Sequence, residues 1–243
     1  MLPKVVVMDL GGTVINNLAI NFEQGLRYIY QNYCLKQVKE EQLILDSLLI
    51  RELGYNKRDN DNFEINFHNY LNYIDKTIGF KESLDYDLLE QAFIDYACTD
   101  ELIEGVVPLL KFFKEHNIDV YILSNSCFSS KALKYELSKQ HILSYFIDVF
   151  SSADYLMRKP SPLFFNVAFK YLKNKYQDLN ESDIMYIGNE YKYDIEGASI
   201  FKVKTVWFNQ HHNVVENSCA DCEIDKYSCL IEMLKKECKN ETI

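Results

Sequence analysis

Apolar, β-branched runs constrain this chain of 243 residues more than any other feature. They are VVVM (5–8), VYIL (120–123), IMYI (184–187) and VKTVWF (203–208). The first three are continuously apolar, which predicts strands buried on both faces. Each run stops at small or polar residues: Asp9, Ser124-Asn125-Ser126, Gly188-Asn189 and Asn209. Segments 106–116, 128–139, 162–174 and 193–201 carry helical periodicity between them. Strands alternating with helices predict an α/β fold, a parallel sheet covered on both faces. Ligands in such sheets bind beyond the carboxyl ends of the strands. The polar clusters all fall there, so they are expected to share one site.

Residues 16–97 break the alternation. FEQGLRYIYQNYCL, EEQLILDSLLIREL, NFHNYLNYIDKTI and DLLEQAFIDYA space their apolar residues three and four apart. That predicts about four helices and no strand. GYNKRDNDN (54–62) reads as a polar loop, and the Tyr and Phe as bundle core rather than a cofactor box. The expected organisation is a sheet core from 1–15 and 98–243, with 16–97 as a helical insertion.

Net charge is −10 with no visible basic face, which argues against a nucleic-acid partner. An anionic substrate would have to be drawn by a few local cations or a metal. No apolar run approaches the roughly 18 residues of a spanning helix, so no membrane partner is expected. The N-terminal run breaks at Asp9, too early for a signal peptide, and a soluble cytoplasmic protein is expected. Oligomeric state is not legible. The seven cysteines lack framework spacing and read as free thiols. Cys219-Ala-Asp-Cys222, near His211, His212, Cys229 and Cys238, could hold zinc. The plainer reading starts a small strand, CEI, at Cys222 and puts Cys229 and Cys238 on a terminal helix.

Several residues could carry chemistry. Asp9 ends a strand and precedes Gly11-Gly12-Thr13, where glycine lets backbone amides approach an anion. Ser124 could donate a hydrogen bond from the end of a second strand. Lys159, in MRKPSPLFF, precedes a proline that opens a helix and would be a local cation. Asn189 and Asp194, in IGNEYKYDIEGA, could offer an oxygen pair to a hard cation. Taken singly, each has a plainer reading: a strand and turn at Asp9, a solvated Lys159, and Asp194 as a helix N-cap.

In conjunction, these residues resemble the haloacid dehalogenase superfamily of hydrolases. Its motifs occur in the same order as MDLGGTV, ILSNS, RKPSPLFF and IGNEYKYDIEGA, spanning residues 5 to about 209. The resemblance implies a Rossmann-like core with an α-helical cap inserted at 16–97. It implies a phosphatase of small phosphorylated metabolites, with Asp9 as nucleophile and an aspartyl-phosphate intermediate. Mg²⁺ would be held by Asp9, the Gly11 carbonyl, Asn189 and Asp194. Ser124 and Lys159 would serve catalysis, and Gly12, Thr13 and Asn125 would bind substrate. The cap would close over the site and select the substrate.

The sequence departs from the family in two places. The second acid of the first motif, the usual proton shuttle, is Gly11, a loss typically worth 10²–10⁴-fold. A substrate with a good leaving group needs no such acid, and a cap carboxylate such as Glu23 or Asp59 could replace it. The first acid of the fourth motif is Asn189, which weakens the metal site by one charge unless Glu190 turns inward. Two other readings stay open. One is a metal-independent 2-haloacid dehalogenase, suggested by Leu-Ser-Asn after the second strand. That branch usually has Tyr where this chain has Phe165, and Asn where it has Tyr191. The other is a non-catalytic phosphate-binding protein.

Overall fold

The computed structural model describes residues 2–240, and the side chains of all of these except 17–19, 53, 55–60 and 240. Its main sheet is parallel throughout. The order is β5 (Phe146–Ser151), β4 (Asp119–Ser124), β1 (Val5–Met8), β6 (Ile184–Gly188), β7 (Lys204–Phe208) and β8 (Cys222–Ile224). Side chains alternate across a strand, so VVVM must satisfy two cores at once. Val6 and Met8 join the core that contains Leu109, Phe113 and Leu230. Val5 and Val7 join Phe164, Phe165 and Ala168 on the other face. That is why the run shows no polar alternation. β1 lies between β4 and β6, where the strand order reverses and α/β sheets open a crevice.

The helices that cover the sheet are α5 (Val106–Glu115), α6 (Ser130–Lys139), α7 (Pro162–Lys175), α8 (Glu196–Ser199) and α9 (Tyr227–Asn240). α7 opens at Pro162, not at Pro160 as the sequence suggests; Pro160 stays in the preceding loop. β5, FIDVFS, escapes a sequence reading because it is an edge strand with Ile147 exposed and Asp148 half-buried.

Between β1 and α5 the chain forms α1 (Phe22–Tyr33), α2 (Glu40–Asp61), α3 (Phe67–Thr77) and α4 (Tyr86–Ala97). Two expectations fail here. Residues 54–61 are not a loop but the last turns of α2. Propagating a helix costs less than starting one, and a polar stretch without proline does not stop it. A two-stranded antiparallel ribbon, β2 (Ile15–Ile20) with β3 (Cys98–Leu102), joins the helices to the sheet. Neither strand alternates cleanly, and their pairing exists only once both chain crossings are brought together. Phe22, Phe67 and Phe93 form a packed aromatic centre, with Phe67–Phe93 centroids 4.5 Å apart. These aromatics are bundle core, as expected. Phe128 from the sheet side packs into the same centre at a tilt, 5.5 Å from Phe67.

Backbone bonds also strap the α2–α3 connection to the sheet side: Phe67 N–H donates to the Cys127 carbonyl (2.8 Å) and Glu64 N–H to Leu156 (2.9 Å). No helix among the described residues is long and apolar enough to cross a membrane.

Candidate active site

β1 delivers Asp9 to the crevice, and the Asp9 N–H donates to the Ile187 carbonyl at 2.9 Å. The chain then turns tightly, with the Leu10 carbonyl accepting from Val14 and Ile15 at 2.8 and 3.0 Å. Gly12 adopts φ +76°, and a Cβ there would lie 2.3 Å from Asn189 Nδ2. The glycine is therefore required twice, by conformation and by close approach. Its N–H closes the turn on the Ile15 carbonyl at 2.7 Å. Thr13 Oγ1 lies 3.3 Å from Asp9 Oδ2 and 3.1 Å from Asn189 Oδ1. Tyr227 of α9 donates to the Thr13 carbonyl at 2.6 Å. Gly12 and Thr13, expected to bind substrate, do not line the cavity; they fix Asp9 and Asn189 in place.

Lys159 is not solvated. It is 1% exposed, and its Nζ lies 2.6 Å from Asp9 Oδ1, 2.6 Å from Asp194 Oδ1 and 3.1 Å from the Tyr186 hydroxyl. An ammonium has three protons, and all three find acceptors here. Burial alone would depress its pKa, but Asp194 and Asp9 reverse that and raise it, so the ammonium stays charged. Burial pushes Asp9 up to about 6, with Lys159 opposing and Asp194 adding to the rise. Asn125 clamps the lysine backbone with both ends of its amide, accepting from Lys159 N at 2.7 Å and donating to Lys159 O at 3.0 Å. Its amide thus positions the lysine, although Asn125 also borders the cavity.

Asp194 sits in a π-helical turn, Tyr191–Ile195, directly after β6. Such turns aim side chains that a regular helix would misdirect. Tyr186 donates to Asp194 Oδ1 (2.9 Å), and the Glu190 N–H donates to Oδ2 (2.9 Å). A Cβ at Gly188 would lie 2.4 Å from the Asp194 side chain, so the end of β6 must be glycine for this packing.

These groups surround a cavity of about 360 Å³, whose lining includes Asp9, Gly11, Ser124, Lys159, Asp194 and Glu190. Asn189 does not line it. Its side-chain oxygen faces Thr13, and its carbonyl accepts from Trp207 Nε1 at 3.0 Å. Glu190 does line it. The oxygen donors suit a hard cation such as Mg²⁺, which needs only one or two carboxylates when a phosphate supplies further ligands. Three carboxylates are not gathered for that purpose: Asp9, Asp194 and Glu190 do not bring oxygens within 4.8 Å of one another.

Some site residues were not legible in advance. Tyr186 hides in an apolar strand run. Arg158, beside the signalled lysine, borders the cavity with its guanidinium 5.9 Å above the Tyr193 ring. Of the two cap acids considered, Glu23 pairs with Arg27 at 2.7 Å on the helix surface, and the side chain of Asp59 lies outside the described residues. Cys219, Cys222, His211 and His212 form no metal-ligand cluster among the described residues. The Cys222 Sγ lies against Met233 instead, and β8 and α9 follow the plainer reading.

Residues 3–200 match the family model for haloacid dehalogenase-like hydrolases. The chain belongs to that family of hydrolases. It is similar to the pyrimidine 5′-nucleotidase PynA of Streptococcus pneumoniae, 25% identical over 161 residues. The match spans 65% of this chain and 65% of the length of that relative. Among solved structures it resembles a phosphatase of the family from Thermococcus onnurineus, with TM-score 0.63, 19% identity, and 95% and 97% of the two chains covered. It also resembles a 2-haloacid dehalogenase from Pseudomonas syringae, with TM-score 0.62, 18% identity, and 97% and 99% covered. At these identities the structures establish a common fold.

Proposed function

We propose that the protein is a Mg²⁺-dependent phosphomonoesterase acting on a small phosphorylated metabolite. The observation that carries this reading is the buried Asp9–Lys159–Asp194 triple on the wall of a cavity that Ser124 and Gly11 also line. An Asp9 carboxylate oxygen attacks phosphorus, the bond to the leaving oxygen breaks, and an aspartyl phosphate forms. Lys159 and Ser124 hold the phosphoryl oxygens as charge redistributes over them. Water then attacks, releasing phosphate and restoring Asp9. Held by Asp9, Asp194 and the Gly11 carbonyl, with the phosphate supplying further oxygens, Mg²⁺ would offset the repulsion between carboxylate and phosphate. The helices of 16–97 form the cap that chooses the substrate. Gly11 supplies no proton, so substrates with good leaving groups are favoured. The nucleotidase relative makes nucleoside monophosphates the first metabolites to screen.

Phe165 supports a phosphatase over a dehalogenase. It is fully buried against Tyr186, at 5.5 Å between centroids, and offers no polar group where that branch has tyrosine. The test is phosphate release from p-nitrophenyl phosphate, with and without Mg²⁺, by wild type and Asp9→Asn. Turnover that needs Mg²⁺ and disappears in Asp9→Asn is expected. Absence of turnover with metal would overturn the reading, and halide release from a 2-haloacid without metal would install the dehalogenase in its place.

A further inference from the structure

The chain enters and leaves the helices of 16–97 through the β2–β3 ribbon. Joined there alone, the insertion could swing on the core. A second set of ties prevents it. Between α2 and α3, Phe63 runs antiparallel to Met157 of the core. The pair is flanked by Glu64 N–H donating to the Leu156 carbonyl at 2.9 Å and Arg158 N–H to the Asn62 carbonyl at 3.0 Å. Phe67 N–H donates to the Cys127 carbonyl at 2.8 Å, and Asn66 Nδ2 to the Ala153 carbonyl at 3.2 Å. Two buried carboxylates of the insertion also take donors from the core. Glu64 accepts from Ser152 Oγ at 2.8 Å. Glu90 accepts from Ser129 N at 2.9 Å and Ser129 Oγ at 2.5 Å. Phe128, next to Ser129, sets its ring 5.5 and 5.9 Å from those of Phe67 and Phe93. Opening would break these contacts together. It would strip both carboxylates of their serine donors and expose an aromatic centre to water. Segments that move in turnover are drawn from parts with few buried contacts, and this joint is the opposite.

We propose that the insertion stays seated on the core throughout turnover, and that substrate enters and product leaves by a standing mouth beside Ile20 and Glu190. Both residues line the cavity and both are exposed, so entry needs no swing. The substrate is then chosen by the shape and charge of a preformed cavity of about 360 Å³, not by the energy of closing a lid. The inference rests on the phosphatase reading above only where turnover is the readout.

The test cross-links the joint. In the double variant Phe63→Cys, Met157→Cys the new thiols face each other at a non-hydrogen-bonded antiparallel pair. Such pairs stand about 4.5 Å apart at Cα, within disulfide reach. The variant is oxidised with glutathione disulfide and the bridge is verified by mass spectrometry. Turnover of p-nitrophenyl phosphate with Mg²⁺ is then read before and after reduction with dithiothreitol. Wild type treated alike corrects for the seven native thiols. We expect kcat and KM of the bridged form to lie within about 3-fold of the reduced form. A larger loss that reduction restores overturns the inference. Native-state hydrogen exchange of wild type in urea gives a second answer that needs neither the bridge nor activity. The amides of Glu64, Phe67, Ser129 and Arg158 should share no opening short of global unfolding. A common opening step with a urea slope smaller than that of unfolding overturns the inference. Absence of turnover in the reduced variant and in wild type would strike the phosphatase reading alone, and the exchange measurement would still decide this one.

Discussion

Tyr186→Phe isolates what holds the charged centre together. The substitution removes one oxygen and keeps the ring, which stays packed 5.5 Å from Phe165, so apolar burial is unchanged. The lost hydroxyl accepts from Lys159 Nζ at 3.1 Å and donates to Asp194 Oδ1 at 2.9 Å, in a fully buried setting. One ammonium proton and one carboxylate lone pair are then left without a partner or water. Hydrogen bonds to charged groups contribute about 1.5–3 kcal/mol, and a buried orphan removes that contribution in full. For a chain of this length, with roughly 2–4 °C lost per kcal/mol, Tm should fall by roughly 3–12 °C. Urea unfolding is the assay, with the midpoint lowered and the slope unchanged. A cycle with Lys159→Met sharpens it. If the hydroxyl acts through the ammonium, Tyr186→Phe should cost about 1 kcal/mol less in the Lys159→Met background. A loss under about 0.5 kcal/mol, additive with Lys159→Met, would refute the view that the lysine needs its third acceptor.

Gly188→Ala should leave the sheet intact but displace Asp194, whose side chain lies 2.4 Å from the new methyl; p-nitrophenyl phosphate turnover should drop by about 10²-fold, the scale of a small misplacement. Glu90→Ala removes the buried carboxylate of α4 that accepts from Ser129 N at 2.9 Å and Ser129 Oγ at 2.5 Å, tying α4 to the start of α6. It should cost about 3 kcal/mol in urea unfolding, because both Ser129 donors lose their charged acceptor. The protonated form of Glu136, with Asp100, Asp95 and Lys139 around it, is favoured in the folded state, at about 7 against an ordinary 4.5. Its contribution to stability is therefore full below 4.5 and lost as pH rises through 7. Urea midpoints taken on either side of that window should fall with pH in wild type and flatten in Glu136→Gln.

The chain order alone determined the core sheet and the catalytic candidates. β1, β4 and β6 must be apolar on both faces, so VVVM, VYIL and IMYI announce themselves, and each ends on the residue that the sheet then presents. Asp9 and Ser124 were legible because a strand end is a fixed place in an α/β fold, and Lys159 and Asp194 through the order and spacing of the motifs around them. Tertiary structure decided what the pattern does not encode. The edge strand β5 and the ribbon of β2 and β3 depend on partners far away in sequence, not on periodicity. α2 runs through a polar stretch that local composition marked as loop. Asn189 turned toward Thr13 while Glu190 faced the cavity, because the tight approach at Gly12 and the π-helical turn set side-chain directions that spacing cannot supply. Tyr186 completed the shell of Lys159, and Asp100 met Glu136, only when the sheet and the helices of 16–97 closed on one another. Periodicity is written in neighbouring residues, whereas a buried charge takes its partners from whatever the finished fold brings within hydrogen-bonding reach.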